Sequence, residues 1–251
     1  MPQVDDKILK DLPCKADLEA IALSLGQRNE VAKRVIEGLQ SGRFFHPDGR
    51  SDTVDIRLDL DQLGLIAHLA PKAPKPLCID IGFGMGSSSA ICLAAREDAG
   101  LPLDHVVFDP FGLGGGRGEV VEEYLHQSYG DAFQRIWKLS ELGLPALCEE
   151  RGVESAGYVF IDGDHRFEAV MADFVFADLL CAPGGFIILD DASFPAIETV
   201  VNFIRANRHE MEVHMFPAEN CCLLHKTRHR GGEWSDFEPF AVPHRSGWTR
   251  A

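Results

Sequence analysis

The stretch "YVFIDGDHRF" (158–167) places two carboxylates and an imidazole, Asp162, Asp164 and His165, directly after an apolar run. Tyr158 to Ile161 is aromatic and β-branched, as a buried strand is, so these ionisable groups sit at the mouth of a core strand. "FIILDD" (186–191) does the same with Asp190 and Asp191, and "VVFDP" (106–110) with Asp109. "CIDIGFGMGSSSA" (78–90) holds Asp80 just before Gly82, Gly84 and Gly86.

Each group suggests a chemistry. Neighbouring parallel strands lie about 4.8 Å apart, so Asp162, Asp190 and Asp191 can converge. Crowded carboxylates repel unless a proton or cation joins them. A hard divalent ion with oxygen ligands relieves that repulsion, Mg²⁺ being the first candidate ahead of Mn²⁺ or Ca²⁺. The bland alternative is capping: Asp191 for a helix near Pro195, Asp164 for one near Phe167. His165, with an ordinary pKa of about 6.5, suits proton removal near neutrality, and Asp164 is the alternative base. The glycines permit positive φ and close approach of backbone to a ligand. A dinucleotide fingerprint reads GxGxxG. Here the pattern is GxGxG, with Ser87 where the third glycine should fall. Asp80 would repel a pyrophosphate but suits a cofactor with a cationic amino-acid head. Asp109, at the tip of the second strand, can accept both hydroxyls of a ribose.

These residues need a scaffold, and the pattern supplies one. Strands are expected at 77–81, 104–109, within 132–139, at 156–162 and at 184–191, the last after an "APGG" break. Helices are expected at 87–99, 118–130, 141–152, 167–181 and 195–207. Strands at 211–216 and 220–226 are close enough to pair as a hairpin. Such alternation predicts a mostly parallel sheet with helices on both faces, whose ligands bind at the carboxyl ends of the strands. Residues 1–70 read as an N-terminal helical cap, with helical spacing at 16–42 stopped by Gly42, a loop at 43–54 and a helix at 58–70 ended by "PKAPKP". Residues 71–226 form the main domain and 227–251 a C-terminal tail. "FGLGGGRGE" (111–119) reads either as a lid over the cofactor or as a flexible connection.

Composition narrows the partners. A net charge of −15 disfavours nucleic acid. The start lacks a signal-peptide pattern, and the apolar runs are too short to span a bilayer, so a cytoplasmic protein off the membrane is expected. Seven cysteines without a CxxC pair read as reduced, mostly buried thiols. Cys221 and Cys222, neighbours on a strand, point to opposite faces.

In order and spacing, "CIDIGFGMGSSSA", "VVFDP", "YVFIDGDH" and "APGGFIILDD" resemble the class I S-adenosylmethionine-dependent methyltransferases. Within them the chain is similar to the branch containing metal-dependent O-methyltransferases of macrolide and aminocoumarin tailoring. The resemblance spans roughly residues 75–226. It implies an α/β, Rossmann-like, doubly wound sheet of about seven strands, mostly parallel, ending in an antiparallel hairpin. It implies a cofactor set of Asp80, Gly82, Gly84, Gly86, Ser87, Asp109, Ser140 and Asp162, with Ser140 near the adenine. It implies a metal set of Asp162, Asp190 and Asp191, and His165 or Asp164 as the base. The expected reaction is methyl transfer to a hydroxyl of a small molecule, and family habit suggests a homodimer. Competing readings are an NAD(P)-dependent oxidoreductase, against which Ser87 and the late Asp109 speak, and a non-catalytic cofactor-binding scaffold.

Overall fold

The computed structural model describes residues 12–41, 43–45, 51–53, 58–111, 117–216, 220–233 and 235–242. In chain order the elements are α1 (Lys15–Arg28), α2 (Glu30–Ser41), β1 (Arg43–Phe45), β2 (Ser51–Thr53), α3 (Leu60–Leu69), β3 (Leu77–Ile81), α4 (Ser87–Asp98), β4 (Asp104–Phe108), α5 (Arg117–Tyr129), β5 (Phe133–Ile136), α6 (Ser140–Arg151), β6 (Ala156–Ile161), α7 (Phe167–Leu180), β7 (Cys181–Leu189), α8 (Pro195–Asn207), β8 (Met211–Phe216) and β9 (Cys221–Lys226).

Seven strands form one sheet in the order β5-β4-β3-β6-β7-β9-β8. The first five run parallel, while β9 is antiparallel to both β7 and β8. This is the doubly wound sheet with a closing hairpin that the sequence pattern predicts. Its strand order reverses between β3 and β6, so the crevice for a ligand opens there, at the carboxyl ends.

Side chains alternate between two hydrophobic layers, as a period of two requires. Ile79, Ile81, Val159, Ile161, Ile187 and Leu189 pack with α6, α7 and α8. Cys78, Tyr158, Phe160, Phe186 and Ile188 pack on the other face with α1 to α5. The N-terminal helices thus share one continuous hydrophobic layer with the sheet. Cys221 and Cys222 fall in opposite layers, as their adjacency predicts.

Several local expectations change. The 16–42 stretch is two helices, because Asn29 takes an extended conformation and its Oδ1 accepts the N–H groups of Val31 and Ala32, capping α2. Gly42, the expected stop, lies outside the described residues. The expected loop at 43–54 contains an antiparallel pair, with Arg43 opposite Thr53 and Phe45 opposite Ser51. Its turn-rich middle misled the reading: the flanking residues are too few to show alternation. "APGG" is no break. Strand β7 runs through it with a register shift between the Ala156–Cys181 and Tyr158–Phe186 pairings. Gly184, at φ +84°, accommodates that irregularity. Pro145 lies inside α6, which begins one residue earlier than expected, at Ser140.

Part of the tail packs on α8: Asn207 exchanges hydrogen bonds with the Glu238 backbone at 2.8 and 3.0 Å, and Phe240 meets Phe203 edge-on. Of the 111–119 segment, residues 112–116 lie outside the described residues, and with them the test of a lid. No helix among the described residues is long and apolar enough to cross a membrane.

Candidate active site

A cavity of about 760 Å³ opens at the crevice between β3 and β6. Its wall includes Gly82, Gly84, Ser87, Asp109, Ser140, Asp162, Asp164, His165, Asp190 and Asp191. Ten of the twelve residues singled out from the sequence therefore face one space; Asp80 and Gly86 do not line it.

The register explains the convergence. Ile81 pairs with Ile161, and Ile161 with Leu189. The next residues, Gly82, Asp162 and Asp190, are neighbours across three strand tips, continued by bonds from Asp162 N–H to Ile81 O and from Asp190 N–H to Ile161 O. Gly82 is obligatory here. At φ +91° its missing Cβ would lie 2.2 Å from the Asp162 carbonyl oxygen, so only glycine lets the turn press against β6. Gly86 stands at the entrance to α4 with φ +69°, where a Cβ would meet Phe83 and Val121 at 2.8 Å. Its part is to shape the turn.

Asp109 ties one wall of the cavity together. Its Oδ2 accepts the Phe83 N–H at 2.8 Å, and its Oδ1 accepts the Phe111 N–H at 2.7 Å. Each oxygen keeps acceptor capacity toward the cavity. Arg135 stands 3.7 Å behind it, with its guanidinium 3.8 Å from the Trp137 ring centroid and 4.6 Å from that of Phe83. Asp80, expected to face a cationic head group, is fully buried. Its Oδ2 accepts the hydroxyls of Ser88 and Ser89 at 2.7 Å, which draws it under α4 and away from the cavity. Ser140 opens α6 at the cavity wall.

At the other end, Asp162, His165 and Asp191 each offer a ligand atom, and those atoms lie within 4.8 Å of one another. His165 Nε2 is 3.4 Å from Asp162 Oδ1, and its Nδ1 is 3.5 Å from Asp191 Oδ2. Asp190, expected beside Asp162 and Asp191, is not in that trio. Its Oδ1 accepts a hydrogen bond from Gln62 Nε2 at 2.8 Å. Burial, then the neighbouring Asp162 charge, pushes the Asp190 carboxyl up to about 8. Burial also raises Asp162, against the pull of His165. His165 in turn is raised above the ordinary histidine value, chiefly by its hydrogen bond to Asp162 and against the effect of burial.

The capping alternatives separate. Asp191 spends no side-chain bond on α8; its Oδ1 accepts from Asn220 Nδ2 at 2.8 Å. It also adopts φ +50°, a costly region for a residue with a side chain, and Asn220 does the same at +52°. Asp164 does serve the entrance to α7: it accepts the Arg166 N–H at 2.9 Å and pairs with the Arg166 guanidinium. Those hydrogen bonds lower its pKa, making it the weaker candidate base.

Sequence reasoning missed Gln62, Asn220 and Arg135. The Asp59-x-x-Gln62 spacing announces a helix start, and Gln62 Oε1 does accept the Asp59 N–H at 2.7 Å. Nothing in the sequence says that the other end of the same amide reaches Asp190, 128 residues away.

Residues 79–192 match the family model described as a methyltransferase domain. The match begins inside β3 and ends just past Asp191, so it takes in the glycine turn, Asp109 and the whole acidic cluster. No curated protein matches the chain. Solved structures share its fold, among them the following three. Cofactor-bound Rv0187 from MTB is 17% identical, covers 87% of this chain and 100% of its own, and has a TM-score of 0.59. The SAH-bound methyltransferase PaMTH1 from Podospora anserina is 13% identical, with coverages of 86% and 98% and a TM-score of 0.58. The O-methyltransferase NovP is 14% identical, with coverages of 85% and 99% and a TM-score of 0.59.

Proposed function

We propose that the chain is an S-adenosylmethionine-dependent O-methyltransferase acting on a hydroxyl of a small molecule with help from a divalent ion. The observation that carries this reading is the arrangement of the cavity wall. A glycine turn and a ribose-type acid stand on one side, and an acid–imidazole–acid cluster on the other. Likeness to NovP, described as an O-methyltransferase, agrees with oxygen as the acceptor atom.

The donor set fits a cation. Asp162 is raised by burial and, less, by the charges of Asp191 and Asp80, and Asp190 by burial and by the charge of Asp162. The charges of Asp162 and Asp191 are balanced by the His165 imidazole alone in the trio. Asp162 and Asp191 would hold the ion, leaving the His165 imidazole free to act as the base. Carboxylates alone suit Mg²⁺, whereas an imidazole ligand shifts the preference toward softer ions. When bound, S-adenosylmethionine supplies a sulfonium methyl open to attack, and the ion supplies positive charge that acidifies the acceptor hydroxyl.

The chain's own residues do the rest. Asp109 offers its remaining lone pairs to the ribose hydroxyls, and the turn at Gly82–Gly84 lets the backbone approach the cofactor. His165, fixed between two carboxylates, takes the hydroxyl proton on a ring nitrogen once it is neutral. The cavity wall around Ser140 offers an apolar slot for the adenine, and the walls orient the two partners. The start of α3, through Leu58, Asp59 and Gln62, borders the same space and fits the part of the site that recognises the acceptor.

The test is calorimetric titration with S-adenosylhomocysteine and with NAD⁺ in parallel, followed by methyl-transfer assays on phenolic and sugar hydroxyls with and without EDTA. Binding of S-adenosylhomocysteine alone and EDTA-sensitive transfer are expected. Binding of NAD⁺ in its place refutes the reading.

A further inference from the structure

Under the glycine turn, on the face covered by α4, a second group of ligand-type side chains lies wholly in the core. Cys78 of β3 sits between its register partners His105 of β4 and Tyr158 of β6. Asp80 follows two residues on, hence on the same face. Cys92 belongs to α4. None of the five is more than 1% exposed. One ligand atom each from Cys78, Cys92 and His105 lies within 4.8 Å of the other two.

The polar atoms of this group are poorly satisfied. Among the described residues, neither ring nitrogen of His105, nor Asp80 Oδ1, nor the Tyr158 hydroxyl has a hydrogen-bond partner. His105 Nε2 only faces Asp80 Oδ2 across 3.4 Å. Unmade bonds of this kind are expensive, and native interiors rarely gather several at one spot unless an ion or a water belongs there. Two thiols and an imidazole favour a soft or borderline ion over Mg²⁺. A carboxylate behind the imidazole is the usual support for a metal-binding histidine, since it fixes the tautomer and leaves the other nitrogen free for the ion.

We propose that Cys78, Cys92 and His105 hold a zinc ion between the sheet and α4, with Asp80 orienting His105 through Nε2. The site is separate from the cavity cluster in position and in ligand chemistry. It staples α4, the helix that carries the glycine turn at its start, to β3 and β4. The thiols lose their protons as the ion binds.

The test uses the full chain, purified under reducing conditions, stripped with a strong chelator and titrated with Co²⁺. The expected result is a thiolate-to-cobalt charge-transfer absorption that saturates at one equivalent, with unchanged circular dichroism, and that Zn²⁺ abolishes. Asp162→Asn retains that absorption, because the cavity cluster offers no sulfur; Cys92→Ser loses it. If Cys92→Ser fails to fold, the wild-type titration decides alone. A folded wild type that shows no thiolate-to-cobalt absorption overturns the proposal and leaves a buried water as the occupant. So does an absorption that persists in a folded Cys92→Ser chain.

Discussion

Replacing Asp109 separates what this residue does for the fold from what it does for the ligand. In the folded chain its two oxygens accept the Phe83 and Phe111 N–H groups at 2.8 and 2.7 Å. Hydrogen bonds to an ionised acceptor contribute about 1.5–3 kcal/mol each, although water can reach the Phe111 side and reduces that share. Asp109→Ala therefore loosens the turn, at a cost of about 2–4 kcal/mol of stability. Asp109→Asn keeps one acceptor oxygen and should cost roughly half as much. Toward the ligand, both variants leave at least one ribose hydroxyl without its acceptor. That weakens S-adenosylhomocysteine by about 1–3 kcal/mol, or roughly 5- to 150-fold in Kd. The two effects are measured separately, by urea unfolding without ligand and by calorimetric titration of chains kept well below their unfolding midpoints. An Asp109→Asn chain that is folded yet binds S-adenosylhomocysteine as tightly as wild type would show that this carboxylate only braces the turn.

The other predictions concern the acidic cluster and the buried acids. Asp162→Asn should abolish the response of activity to added Mg²⁺ or Mn²⁺ while changing S-adenosylhomocysteine affinity little; an intact metal response in titrated assays removes Asp162 as a ligand. His165 must be neutral to accept a proton, and its value is raised. Activity of the enzyme should therefore climb with pH beyond the ordinary histidine range, and a pH–rate profile flat across that range counts against His165 as the base. Asp173 of α7 is buried, and burial pushes its carboxyl from 3.8 up to about 7, with the Ser140 hydroxyl opposing. The folded chain then binds the extra proton between those values, so stability falls as pH rises from about 4 to about 7. Asp173→Asn should remove that slope, a gain of at most about 4 kcal/mol near pH 8 that vanishes below pH 4; thermal melts across pH that stay parallel for the two chains refute it. Gln62→Ala removes both the Asp59 cap and the bond to Asp190 and should lower stability by about 1–3 kcal/mol, read by chemical denaturation.

The sheet was legible because its signals are local. Runs such as "LCIDI" and "YVFI" are too apolar to be surface strands, and the turns that follow carry the glycines and acids. Hence the positions of Asp162, Asp190 and Asp109 at strand tips follow from the sequence alone. What stayed hidden depends on tertiary contact. Asp80 looked like a cofactor residue because it precedes the glycines, but Ser88 and Ser89, in the first turn of α4, claim its carboxylate. Asp190 and Asp191 are adjacent in sequence yet diverge. Asp191 turns through positive φ toward His165, while Asp190 is taken by Gln62 from α3. The Cys78–Cys92–His105 group was invisible for the same reason. Its members come from three elements with no telling spacing, and only strand register and helix packing bring them together.

The account stands or falls on what occupies the cavity. Crystals grown with S-adenosylhomocysteine and Mn²⁺, measured at a wavelength where manganese scatters anomalously, address it directly. The account predicts a nucleoside seated over Gly82 and Gly84 with its ribose on Asp109, and one anomalous peak in contact with Asp162 and Asp191. A cavity that stays free of nucleoside at saturating ligand, or a manganese peak elsewhere with none beside Asp162, contradicts it.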